Sequence, residues 1–160
     1  MQLPISLGNQ GFASLRENHC FYIDKTDFIR EWWEKGDSVT LITRPRRFGK
    51  TLTMSMVEQF FSVKYAGQQN LFEGLAIWKT KAYREIQGTY PVISLSFANL
   101  KEPSYELTRQ KVCDQLQQLY TEHAYILESG ILKGADKSFF ERMLHNEKVE
   151  YVDATLALYK

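Results

Sequence analysis

The sequence predicts an α/β fold, a parallel sheet flanked by helices and incomplete within these 160 residues. Three observations predict it. Residues 38–43 (S-V-T-L-I-T) are β-branched and apolar, as a strand buried on both faces would be. A basic loop over 44–50 follows and leads into a segment with Leu52, Met56, Val57, Phe60 and Phe61 at helical spacing. Residues 90–97 (Y-P-V-I-S-L-S-F) then read as a second strand, with Pro91 at its start, where a missing ladder donor is tolerated. Strand, loop, helix, strand, helix is the opening of a parallel sheet. Two strands do not complete such a sheet, so the chain reads as the front part of a domain.

Taken in order, residues 1–9 form an irregular lead-in broken by Pro4 and Gly8. Residues 11–17 hold a short helix. The apolar run Phe21-Tyr22-Ile23 precedes Asp24-Lys25-Thr26-Asp27, which offers several helix N-caps. Phe28, Ile29, Trp32 and Trp33 then recur at helical spacing up to Gly36, a helix stop. The helix after the basic loop runs from Thr51 to about Tyr65. Residues 71–77 read as a packed connector and Tyr83 sits on a short helix. A long helix is expected over 102–123, with Leu107, Val112, Leu116 and Leu119 inside, and weaker helices over 138–144 and 151–159. The organisation is thus 1–37 lead-in and helix, 38–100 strand–loop–helix–strand core and 101–160 helical segment.

Composition narrows the function classes. A net charge of +1 excludes a globally basic nucleic-acid binder. The 14% aromatic content argues against disorder. Cys20 and Cys113 lie far apart with no C-x-x-C and no Cys/His cluster, which disfavours zinc and favours two reduced thiols over a disulfide. No signal peptide and no apolar run of membrane-spanning length is evident, so a cytoplasmic protein without a membrane partner is expected.

The chemistry concentrates in 44–51, R-P-R-R-F-G-K-T. Its end fits the P-loop pattern G-x-x-x-x-G-K-[ST], which lies between a strand and a helix; Arg44 replaces the first glycine. Gly49 lets a phosphate approach the backbone without a Cβ clash. The amides around Gly49 to Leu52 open a helix, where an anion is favoured. Lys50 places an ammonium between β- and γ-phosphates, and the Thr51 hydroxyl serves Mg²⁺. A G-K-T tripeptide also arises by chance at helix starts. The preceding strand, the amphipathic helix after it and three arginines favour the nucleotide reading.

With those residues in hand, the chain resembles the AAA-ATPase-like family of bacterial and archaeal proteins, whose P-loop reads R-P-R-R-F-G-K-[ST]. The resemblance extends to F-A-S-L-R-E-N-H-C-F-Y-I-D-K-T (12–26), Phe60-Phe61, L-F-E-G-L-A-I (71–77) and P-V-I-S-L-S-F (91–97). It implies a P-loop NTPase-like sheet, with ATP and Mg²⁺ as cofactors. The implied nucleotide site is Arg44, Pro45, Arg46, Arg47, Phe48, Gly49, Lys50, Thr51 and Leu52. Family members typically carry a later D-E-Y-D Walker B strand, and many end in a PD-(D/E)XK nuclease-like domain. Neither is found in this sequence; E-Y-V-D at 150–153 is too polar for a central strand. The chain is therefore expected to be an N-terminal piece that binds nucleotide, with no catalytic residue for hydrolysis of its own.

Other residues carry paired readings. Arg44, Arg46 and Arg47 either clamp phosphate, reach a neighbouring subunit or form a solvated basic loop. Asp24, Lys25 and Thr26 either line the nucleotide site or act as a helix cap beside a surface lysine. Trp32 and Trp33 are better read as core than as base-stacking groups. His19, His123 and His145 suggest no triad or metal set. The leading function is an ATP-binding module of an ATPase, linked in the longer protein to a nuclease domain or nucleic acid and open to oligomerisation. The alternatives are a degenerate P-loop scaffold without turnover and a small-molecule kinase, whose lid arginine and acceptor site are not evident.

Overall fold

The computed structural model describes residues 3–6, 8–98, 100–145 and 157. Seven α-helices are seen among them: α1 (Phe12–Glu17), α2 (Asp27–Lys35), α3 (Lys50–Phe61), α4 (Lys81–Ile86), α5 (Tyr105–Glu122), α6 (Tyr125–Glu128) and α7 (Gly134–His145). Three 3-10 turns, Val63–Tyr65, Gln69–Phe72 and Ala76–Lys79, connect α3 to α4. The chain divides into two compact units, Met1–Val92 and Ile93–Lys160.

The predicted parallel sheet is corrected: the described residues contain no strand and no sheet. Residues 38–43, expected to be a buried strand, form no strand and are exposed apart from the half-buried Ile42, with Val39 87% and Leu41 82% exposed. In the second predicted strand only Tyr90 pairs, through an isolated parallel bridge to Ser62. There Val63 N–H donates to the Tyr90 carbonyl and Tyr90 N–H to the Phe61 carbonyl, at 2.8 and 2.9 Å. Beyond it Ile93 and Phe97 are exposed. The physical reason is that a strand is not a property of its own residues. β-Branched apolar sequence suits a pleated, half-buried surface, but the ladder exists only where a second backbone is in register.

The helical expectations fare better because helix hydrogen bonds are local. The short helix over 11–17 is α1. The second helix ends at Gly36, which takes the left-handed conformation (φ 64°) that glycine adopts freely. The third ends at Phe61, four residues early, because Ser62 turns extended and hands the chain to the bridge with Tyr90. The expected connector over 71–77 is formed by two of the 3-10 turns, Tyr83 lies on α4, and the long helix is α5, capped by the Ser104 hydroxyl. The helix expected over 138–144 is the C-terminal part of α7; that over 151–159 lies outside the described residues apart from Ala157.

The core of the first unit is aromatic. Phe12, Phe60 and Phe72 are fully buried and meet at 5.1–5.2 Å between ring centroids, Phe72 touching both of the others. Ile29, Met56, Leu71 and Ile77 close around them. Trp32 and Trp33 both pack on the Phe61 ring, Trp33 stacked on it at 5.3 Å. The Trp32 indole N–H donates to Thr40 Oγ1 at 3.0 Å. They therefore serve packing, as their helical spacing suggested. In the second unit α5 and α7 pack through Cys113, Leu116, Phe139 and Met143. An apolar cavity of about 570 Å³ lies within that unit, lined in part by Leu95, Leu119, Tyr120 and Phe140. Cys20 and Cys113 are free thiols, and burial pushes the Cys113 thiol up.

Candidate functional site

The basic loop and α3 make one local structure. Gly49 is the helix N-cap residue and is left-handed (φ 74°), a conformation that costs an L side chain about 1 kcal/mol or more. Arg47 also has positive φ (68°), uncommon outside glycine, so the loop turns sharply twice in three residues. The helical ladder starts where Thr53 N–H donates to the Gly49 carbonyl at 2.8 Å. The Lys50, Thr51 and Leu52 amides lie ahead of that bond, in the turn where a helix offers no acceptor. Lys50 folds back over the loop and donates from Nζ to the carbonyls of Arg44 and Pro45, the latter at 3.1 Å. An ammonium has three donors, so one remains for an incoming group. Arg44, Pro45, Arg46, Arg47, Phe48 and Thr51 are exposed, and Leu52 packs against the aromatic core.

The D-K-T segment lies against this loop, and its three residues differ in what they do. Asp24 Oδ1 accepts from the Thr26 amide at 2.9 Å and from the Thr26 hydroxyl at 2.7 Å. Its Oδ2 accepts from the Ala76 amide at 2.7 Å. The fully buried Thr26 in turn accepts at Oγ1 from the Ile77 amide, at 3.1 Å. Asp24 and Thr26 thus fasten the start of α2 to the 3-10 turn at Ala76–Lys79. Burial draws the Asp24 carboxyl up, but hydrogen bonds from Thr26 and Ala76 outweigh it and hold the group below its ordinary value. The fastening is therefore at full strength above the ordinary carboxylate range and is lost as pH falls through the lowered value. Thr26 occupies the N-cap position of α2 without a side-chain cap bond, so the capping alternative does not describe it. Lys25 is half-buried, and its Nζ comes to 3.5 Å from where a Cβ on Gly49 would stand.

Two neighbours complete the support, and the sequence reading missed both. Arg16 donates from Nε to the Leu71 carbonyl and from Nη2 to the Glu73 carbonyl, each at 2.7 Å, tying α1 to the connector. Tyr22 reaches Met56 of α3 with its hydroxyl, at 3.2 Å to sulfur, and burial pushes its phenol up to about 12. The signal was present in the F-x-x-L-R…Y-x-D-K-T pattern, but spacing does not say that an arginine will end on main-chain carbonyls 55 and 57 residues away.

A family model described as "Predicted AAA-ATPase" matches residues 6–157. The chain belongs to the AAA-ATPase-like family. A relative in Azotobacter chroococcum mcd 1, described as an uncharacterized protein in the vnfD 5′ region, is 36% identical over 102 residues. That similarity covers 60% of this chain and 17% of the relative, so the chain matches less than a fifth of the longer protein. No solved structure matches. In this AAA-ATPase-like chain the residues of the segments quoted above divide by their surroundings. Phe12, Leu15, Phe60, Phe61 and Leu71 are buried packing, Arg16, Asp24 and Thr26 are fasteners, Arg44, Arg46, Arg47 and Thr51 face solvent, and Lys25 and Lys50 are half-buried. No described helix is long and apolar enough to cross a membrane.

Proposed function

We propose that the chain binds a nucleoside triphosphate, ATP, through its polyphosphate at Arg44–Leu52, as part of an AAA-like ATPase. The observation that carries this reading is Lys50, drawn across its own loop at the amino end of α3 with a donor to spare. The first-turn amides and the Lys50 ammonium belong to the same junction of loop and helix, and both favour an anion. Family membership supports nucleotide use in the same direction. The exposed Thr51 hydroxyl is a hard oxygen donor of the type Mg²⁺ takes, and beside the phosphates it would hold the ion that accompanies ATP. Arg44, Arg46 and Arg47 add positive potential that steers the ligand to the loop.

Calorimetry with MgATP on the wild type and Lys50→Ala tests it. Lys50 packs little in the core, so the fold survives its loss. A charge-assisted hydrogen bond contributes roughly 1.5–3 kcal/mol, so affinity should fall about ten- to a hundredfold. Equal affinities would remove the loop from the nucleotide site.

Hydrolysis needs more than these groups. A carboxylate must order the Mg²⁺ shell and a further group must orient the attacking water. No run of four apolar residues in the 160 ends in Asp-Asp or Asp-Glu. The chain by itself is therefore expected to bind MgATP while releasing phosphate at the rate of a blank. Multiple turnover abolished by Lys50→Ala would instead place a catalytic acid within these residues. A nuclease domain or nucleic acid acting with this module in a longer protein belongs to the same proposal, and the nuclease-like domain is what the family resemblance implies.

A further inference from the structure

Among the described residues the cations around Gly49 have no counter-ion. Among the described residues, Lys25, Arg44, Arg46, Arg47 and Lys50 make no ion pair. Like charges that make no ion pair repel one another, and an anion placed among them relieves that repulsion. The three arginines are exposed and free to swing apart. The two lysines are not. Lys50 is tied to two carbonyls of its loop. Lys25 is fixed by its backbone: its amide donates to the Tyr22 phenol oxygen at 3.4 Å, and its carbonyl accepts from the Phe28 amide at 3.1 Å. On either side Asp24 and Thr26 are fastened to the turn at Ala76–Lys79.

A surface lysine ordinarily extends its ammonium into water. Lys25 holds a half-buried position and directs its Nζ to the loop, 3.5 Å from the Cβ position of Gly49. None of its three N–H donors is engaged by a described residue. We propose that Lys25 is a second phosphate-binding lysine of the Gly49–Lys50 loop, delivered from the α1–α2 connection, and that Asp24 and Thr26 are positioning residues that act through it. This rests on the nucleotide reading of the loop. The ligand chemistry is a polyphosphate: several negative charges in a row match two ammonium groups brought to one loop from different segments of the chain.

The test is calorimetric titration of MgATP and of Mg²⁺-tripolyphosphate into the wild type, Lys25→Met, Lys25→Arg and Lys50→Ala. Lys25→Met keeps the apolar stem and removes the charge, and its melting temperature should match the wild type. Lys25→Met is expected to lose about tenfold or more in affinity, by the same factor for both ligands, and Lys25→Arg to recover most of it. If Lys50→Ala weakens MgATP while Lys25→Met does not, the Lys25 assignment is overturned and the loop reading stands. A loss for MgATP without one for tripolyphosphate likewise overturns it, because Lys25 would then act on the nucleoside or on the fold. If Lys50→Ala leaves MgATP binding unchanged, the loop reading falls and takes the Lys25 assignment with it.

Discussion

Phe60→Ala should lower the unfolding free energy of the 1–92 unit by about 3–5 kcal/mol, the usual range for emptying a buried phenylalanine site. Phe60 is fully buried, and its ring meets Phe61 at 4.9 Å and Phe72 at 5.2 Å, both edge-on. Removing it strips both aromatic contacts at once and leaves a cavity walled by rings that cannot collapse into it. Domains are stable by only about 5–15 kcal/mol, so this is a large share. The consequence reaches the loop, since Phe60 anchors the same helix that begins at Lys50 and Thr51. Urea unfolding of the wild type, Phe60→Ala and Met54→Ala separates the cases. Met54 lies on α3 but is 59% exposed, so its loss should cost about 0.5 kcal/mol or less. Equal effects for the two variants would mean that α3 is not held by its aromatic face.

Gly88→Ala should destabilise the same unit by about 2–4 kcal/mol, from two separate causes. Gly88 has φ +69°, a left-handed conformation that costs an L residue about 1 kcal/mol or more. A Cβ there would also stand 2.7 Å from the Ala66 Cα, a backbone atom that cannot swing aside. Overpacking against fixed structure adds roughly 1–3 kcal/mol. The Gly88 amide donates to the Phe60 carbonyl at 2.8 Å, so a shift here strains the end of α3 as well. Gly67→Ala isolates the first cause, because Gly67 has φ +85° with nothing within 4 Å of its Cβ position. Chemical unfolding should rank Gly88→Ala clearly below Gly67→Ala. Equal losses would show that the close approach to Ala66 is relieved at no cost.

The helices were legible because their signals are local. Phe28, Ile29 and Trp32, or Leu52, Met56 and Phe60, sit on one face whatever lies elsewhere in the chain. The stop at Gly36 was legible for the same reason. The end of α3 was not, since Ser62 and Val63 leave the helix to meet Tyr90, a partner 28 residues from Ser62. The family was legible from R-P-R-R-F-G-K-T and is the one whose model matches residues 6–157.

By itself the sequence determined the helical periodicities and the cationic G-K-T loop, because each depends on neighbours within a few residues. Only the tertiary structure decided what 38–43 and 90–97 became. Alternating or continuous apolar residues permit a strand, but the ladder is an interaction between segments, and among the described residues it amounts to a single bridge. The tertiary structure also decided what holds D-K-T in place. Cap, surface lysine and site lining were equal readings of three adjacent letters. Asp24 and Thr26 accept hydrogen bonds from the amides of Ala76 and Ile77, about 50 positions away, which makes both of them fasteners of that turn, while Lys25 brings its ammonium to 3.5 Å from the Cβ position of Gly49. Such contacts depend on how distant segments close on one another, which no local pattern encodes.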